Sequence, residues 1–209
     1  MNYRSSSTTV CQATPADVDV VRCVLVEAFQ RGDLAGWLIP HLDTRRRVYS
    51  QYFEVLAEHA LKHAQVESTE GGQAVAIWYA IADGELPVIA RHDERLTTII
   101  TGSEPRFAAL DQALQYVHPR EPRHQYLALL AVHPRHQGHG LGSALLHHRH
   151  AALDAADTPA FLVATGTRNR HLFTRHGYLP RPVCRIRPDG PQLYPLWRPA
   201  APPPERAGT

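Results

Sequence analysis

Residues 125–143 read Q-Y-L-A-L-L-A-V-H-P-R-H-Q-G-H-G-L-G-S, an order that dictates a strand, a glycine loop and a helix. Residues 126–132 form an apolar run short enough for a strand buried on both faces, and His133-Pro134 ends it, because a residue before proline is driven toward extended backbone. Gly138, Gly140 and Gly142 follow at alternate positions, so the backbone can approach a ligand without side chains in the way. From Gly140 onward, Leu141, Ala144, Leu145, His148, Ala152 and Ala155 fall on one stripe at helical spacing.

A helix start leaves its first backbone N–H groups without internal partners, and the aligned peptide dipoles make that end electropositive. A glycine loop entering such a helix is therefore an anion seat, suited to phosphate or diphosphate. The loop lacks the Gly-Lys-Ser/Thr ending of a nucleoside-triphosphate loop. A dinucleotide fold would instead place G-x-G-x-x-G after its first strand, whereas here G-x-G-x-G lies deep in the chain. The segment Gln137-Gly138-His139-Gly140-Leu141-Gly142 closely resembles the coenzyme A-binding motif Q/R-x-x-G-x-G/A of the GNAT acetyltransferase superfamily.

The second half carries the resemblance further. That superfamily typically follows the coenzyme helix with a strand and then Asn-x-x-x-x-Tyr-x-x-x-Gly-Phe, and residues 169–178 read N-R-H-L-F-T-R-H-G-Y. Asn169, Gly177 and Tyr178 match, while Phe173 stands where the superfamily usually has tyrosine. In order and length the chain looks most like the puromycin N-acetyltransferase type. The resemblance implies an α/β (α+β) fold with a mixed, mostly antiparallel twisted sheet flanked by helices on both faces.

Local patterns elsewhere fit that layout. Thr14-Pro15-Ala16-Asp17 opens a helix that stops near Gly32, and residues 44–64 form a long amphipathic helix in which Arg45-Arg46-Arg47 reads as a solvated basic face. Strands on either side of Gly71-Gly72 make a hairpin. Helices are expected over about 88–101 and 104–117, a buried strand over 159–165, a short helix over 168–176, an edge strand broken by prolines after Tyr178, and a last strand over 192–197. A frayed start over 1–9, one domain over 10–197 and a disordered Pro/Ala-rich tail over 198–209 complete the organisation.

By resemblance, main-chain N–H groups of Gly138, His139, Gly140, Leu141, Gly142 and Ser143, introduced by Gln137, would hold the coenzyme diphosphate. Leu130, Ala131 and Val132 would pair with pantetheine like a strand, and the Val132 amide would polarise the thioester carbonyl, which becomes an oxyanion on attack. Asn169 would orient the arm, with Phe173 beside it. Phe173 has no proton for the departing thiolate, so either Thr174, Tyr126 or water replaces it as donor, or the thiolate leaves unassisted, or catalysis is weak or lost; the first is the reading taken. His124 and Tyr126, at the start of the central strand, are the candidates for taking the ammonium proton. Phe29, Trp37 and Trp78 are the candidates for lining an acceptor pocket.

Composition narrows the partners. A net charge of +2 over 209 residues gives no global basic field for nucleic acid. Cys11, Cys23 and Cys184 are scattered and odd in number, which fits a reducing cytoplasm, and no apolar run has membrane-helix length. His59 and His63 share a helix face, but Ala60 stands where a metalloprotease helix has glutamate, so no metal is expected. The reading is an acetyl-coenzyme A-dependent N-acetyltransferase of a small primary amine, with homodimerisation allowed by the resemblance. Its alternatives are a peptide or protein acetyltransferase and a coenzyme A-binding module without turnover.

Overall fold

In the computed structural model, residues 8–82, 84, 86, 94–121 and 123–200 are described. The expectations for residues 1–7, 88–93 and 201–209 lie outside them. Strands β1 (Val10–Gln12), β2 (Gln65–Thr69), β3 (Ala74–Ile81), β4 (His124–Val132), β5 (Ala160–Thr165), β6 (Leu179–Pro180), β7 (Cys184–Arg185) and β8 (Gln192–Arg198) form one sheet. Its order is β1-β2-β3-β4-β5-β8-β6, with β7 also on β8, and β4–β5 is the parallel pair in an otherwise antiparallel set. β8 runs through Arg198, one residue into the segment expected as tail.

Helices α1 (Val18–Phe29), α2 (Asp33–Leu38), α3 (Leu42–His63), α4 (Glu94–Ile99), α5 (Glu104–Val117), α6 (Leu141–Ala155) and α7 (Thr167–Arg175) cover the sheet. Alternation along β3 divides the core in two. Val75, Ile77, Tyr79 and Ile81 pack with α1, α2, α3 and α5, whereas Ala74, Ala76 and Trp78 pack with α6 and α7. A mixed, mostly antiparallel sheet with helices on both faces is the expected fold class. The α2 helix was not expected, since Gly32 and Gly36 make residues 29–40 look like a loop.

Three features fix the frame around the site. The Thr14 amide and hydroxyl both donate to Asp17 Oδ2, at 2.7 and 2.8 Å, which closes the start of α1. Arg198 holds Asp154 of α6 with two bonds of 2.7 Å, locking that helix to β8. Arg45, expected on a solvated face, is instead buried and donates to the carbonyls of Gln30, Ile39 and Pro40 at 2.6, 2.9 and 3.0 Å. These carbonyls lie just beyond the ends of α1 and α2, where a cation meets the negative pole of each short dipole.

Candidate active site

The site begins where two neighbouring strands part. β4 and β5 pair only at Gln125↔Ala160, Tyr126↔Phe161 and Leu127↔Leu162. At the same point the register of β4 against β3 slips, so that Ile77 faces Leu129 while Trp78 faces Leu127, with Ala128 as the extra residue. Such a bulge bends a strand and ends regular pairing. Residues 128–132 therefore continue along β3 but leave β5, and their free edge lines a cavity of about 1300 Å³. That is larger than a typical small-ligand pocket of roughly 300–1000 Å³.

The glycine loop closes one end. Gly138 and Gly140 have φ of +84° and +82°, and a Cβ on either would meet nothing within 4 Å. Backbone conformation, together with open space for a ligand, accounts for glycine there. Gly140 caps α6, whose first internal bond runs from the Ala144 amide to the Gly140 carbonyl at 2.9 Å. The amides of Leu141, Gly142 and Ser143 precede that bond and sit at the positive end of the helix. Gln137 Nε2 donates to the Val132 carbonyl at 3.1 Å, tying the loop back to the strand. Arg168, Arg175 and His136 line the cavity too, and the two arginines add positive charge. The arrangement fits an extended anion-bearing ligand: diphosphate at the helix start and an amide-containing arm along the free edge of β4.

The opposite end is aromatic. Phe29, Tyr52, Phe53, Tyr79, Phe107 and Tyr126 line it. Phe29 stacks on Phe53 at 5.4 Å between centroids, and Tyr52 contacts Phe53 and Phe107 at 5.4 and 5.3 Å. Two carboxylates also line the cavity, Asp33 at the start of α2 and Asp111 from α5. Burial first, then the Asp111 charge, pushes the Tyr126 phenol up to about 12 and raises Tyr52 as well, so both stay protonated at neutral pH. Sequence reading missed Asp111, Tyr52, Tyr79 and Phe107 as site residues. The signal was available for α5, where Phe107, Leu110, Asp111 and Leu114 recur at helical spacing with a single acid among them.

Not every expected residue reaches the cavity. Leu130, Ala131, Val132, Gln137, Gly138, Gly140, Leu141, Gly142, Ser143, Asn169, Phe173, Tyr126 and Phe29 line it; His139, His124, Thr174, Trp37 and Trp78 do not. Trp78 is 1% exposed and points to the α6 face with Leu145 and Leu162, because strand alternation turns it away from Ile77 and Tyr79. His124, also 1% exposed, bonds through Nδ1 to the Glu121 carbonyl at 3.0 Å and stacks near Trp197, lining a separate small cleft of about 250 Å³. Thr174 donates back to the His171 carbonyl at 3.1 Å within α7. Trp37 bonds to Asp189 Oδ2 at 3.3 Å outside the lining. Asn169 Nδ2 donates to the Thr165 carbonyl at 2.9 Å, and Phe173 packs edge-on against Tyr178. Among the described residues no group of three or more His, Cys, Asp or Glu could hold a metal, and no helix is long and apolar enough to cross a membrane.

Comparison with known proteins agrees with this geometry. Residues 88–180 match the family model of the acetyltransferase (GNAT) domain. A histone acetyltransferase HPA2 and related acetyltransferase from Corynebacterium glutamicum is 29% identical, superposes with a TM-score of 0.71, and aligns over 95% of this chain and 99% of its own. A putative arylalkylamine N-acetyltransferase from the yellow fever mosquito Aedes aegypti shares the fold at 15% identity and a TM-score of 0.66, over 92% of this chain and 87% of its own. A ribosomal-protein alanine N-acetyltransferase from Escherichia coli does so at 15% identity and 0.53, over 97% and 99%. These findings support an acyltransferase in which residues 88–180 are similar to the acetyltransferase (GNAT) domain.

Proposed function

We propose that this protein transfers the acetyl group of acetyl-coenzyme A to the primary amine of a small molecule by direct attack, in a domain spanning residues 10–198. The observation that carries the reading is the parting of β4 from β5 after Leu127, which opens one cavity with an anion seat at one end and an aromatic enclosure at the other. The amides of residues 138–143 hold the diphosphate. Leu130, Ala131 and Val132 bind the pantetheine arm along the strand edge, and the Val132 amide faces the thioester oxygen as it gains charge. Asn169 and Phe173 flank the arm. The amine nitrogen attacks the carbonyl carbon, the carbon–sulfur bond breaks, the ammonium proton passes to water, and the thiolate is protonated as it leaves. Tyr126, which lines the cavity with a phenol proton, is the donor, and it regains that proton from water. Three unpaired cysteines support action in a reducing cytoplasm.

An aromatic lining of this kind favours a small acceptor with an apolar body. Within the small-molecule class, the design is nearest the puromycin N-acetyltransferase type. The aromatic end and Asp111 support an amine with an aromatic or apolar body and a positive charge. The test compares kcat/KM for a panel of arylalkylamines, aliphatic amines and N-terminal peptides. Aromatic amines should lead by at least about tenfold, roughly 1.4 kcal/mol of differential binding. A peptide preferred over every free amine would overturn the small-molecule assignment.

A further inference from the structure

Behind the anion seat lies a cluster of histidines that the proposed chemistry does not use. His176 follows α7, and its Nε2 lies 2.9 Å from the Ser143 hydroxyl at the start of α6. Ser143 lines the cavity. The groups facing His176 come from three elements. From α6 there are His147, with ring centroids 4.7 Å apart, and His150 at 6.4 Å; Arg175 closes α7, and Arg198 of β8 lies on the other side, paired with Asp154. His150 is in turn bonded to the Tyr178 hydroxyl at 3.1 Å.

We infer that His176 is a positioning residue for the coenzyme: its Nε2–H donates to Ser143 Oγ, so the Ser143 hydroxyl proton is turned outward to the diphosphate, and coenzyme binding draws a proton onto the ring. The inference rests on the coenzyme seat proposed above. A serine hydroxyl has one proton and two lone pairs. If the imidazole accepts from Ser143, that one proton is used up and oxygen lone pairs face the ligand anion. If the imidazole donates, the same hydroxyl becomes a donor to phosphate. Both nitrogens of an imidazolium carry hydrogen, so protonation removes the unfavourable arrangement. In the unliganded protein burial, followed by the charges of His147, Arg175 and Arg198, lowers the proton affinity of His176. A diphosphate at the helix start supplies the opposite charge and reverses that balance. Linkage then requires affinity to rise as pH falls, with net proton uptake on binding.

The test is isothermal titration of acetyl-coenzyme A into the intact protein from about pH 5.5 to pH 8, across the ordinary histidine range, in two buffers of different ionisation enthalpy. Wild type, His176→Gln, His176→Leu and Ser143→Ala are compared. Glutamine presents a permanent, uncharged N–H near the position of Nε2. His176→Gln should keep affinity within about twofold at pH 8 yet lose the part of the proton uptake that wild type shows. His176→Leu should weaken binding by about five- to tenfold, the range of one hydrogen bond. Ser143→Ala should lose the same proton uptake, and serves if a His176 variant does not fold. The ligand's own phosphomonoester titrates equally in all four, so only the differences count. Unchanged proton uptake in His176→Gln and Ser143→Ala would overturn the inference while leaving the coenzyme seat intact. Absence of coenzyme binding by the wild type would overturn the seat itself.

Discussion

Gln137 reaches back across its own loop to donate from Nε2 to the carbonyl of Val132, 3.1 Å away. That bond couples the end of the central strand to the start of the glycine loop, so the amide proposed to face the thioester and the amides proposed to hold the diphosphate keep a fixed spacing. In Gln137→Ala the loop loses this tether and retains its glycines. The dissociation constant for acetyl-coenzyme A should rise about three- to tenfold, equivalent to one exposed hydrogen bond, with Tm within about 2 °C of wild type. Equal loss of stability and affinity would mean that the bond serves the fold alone.

Gly140 tests the seat more severely. Its φ of +82° disfavours any side chain, although the space beside it is open. Gly140→Val places a β-branched residue there at a strain of about 1–2 kcal/mol and fills the approach to the helix start. Coenzyme binding should fall more than about a hundredfold, well beyond the accompanying change in stability. Retained affinity, measured by the same titration, would put the phosphate seat elsewhere.

Arg45 holds the loops beside the aromatic end from behind. Its guanidinium donates to three carbonyls just beyond the ends of α1 and α2. Arg45→Met should destabilise the fold by about 2–4 kcal/mol, since the Gln30 and Ile39 carbonyls are left in a buried setting, and lower Tm by roughly 5–10 °C. The acceptor KM should rise more than the coenzyme KM, because Phe29 and α2 border the amine end. Chemical denaturation and steady-state kinetics check both parts.

Two histidines, His118 and His150, contribute to the loss of stability in acid. Burial first, then His124, lowers His118 from 6.5 to about 4; burial first, then Arg198, lowers His150 to about 3. Between these values and 6.5 the unfolded chain binds more protons than the folded one, so stability rises with pH across that window. Their contribution is complete above pH 6.5 and declines as pH falls toward the folded values. Tm at about pH 5 should lie roughly 5 °C below that at pH 7.5. His118 packs edge-on against Tyr126 and Phe161 at 5.4 and 5.3 Å, and His118→Phe should flatten the acid slope. An unchanged slope in that variant would assign the acid loss to other groups.

Much of this fold can be read from local pattern. The Gly71-Gly72 turn, the apolar runs of β4 and β5 and the long stripe of α3 each specify an element, and their order specifies a mixed sheet with helices on both faces. What pattern does not carry is which face a side chain takes once a bulge or a hairpin fixes its register. Trp78 looks like a pocket aromatic in the sequence, yet alternation from Ile77 buries it against α6. Arg45 looks solvated within its arginine triplet, and only the folding of α1 and α2 around it brings three carbonyls to its guanidinium. Thr174 sits beside Phe173 in sequence, but helical spacing turns it from the cavity. Asp111 was legible as the single acid on an apolar stripe, but only the fold brings it near enough for its charge to act on Tyr126.

The proton path concerns Tyr126 against Phe173. Phe173 presents only a ring to the cavity, so thiolate protonation falls to another group. Tyr126→Phe should lower kcat by about a hundredfold, the lower range for general acid catalysis, with little change in coenzyme affinity. A kcat within twofold of wild type would leave water as the donor.

The most direct measurement of the central claim follows free thiol and N-acetylated product together after mixing the protein with acetyl-coenzyme A and an aromatic primary amine. Thiol and acetylated amine should appear in equal amounts over many turnovers, and both should be lost in Gly140→Val. Tight binding of acetyl-coenzyme A with no thiol released across a broad panel of amines and peptides would contradict it.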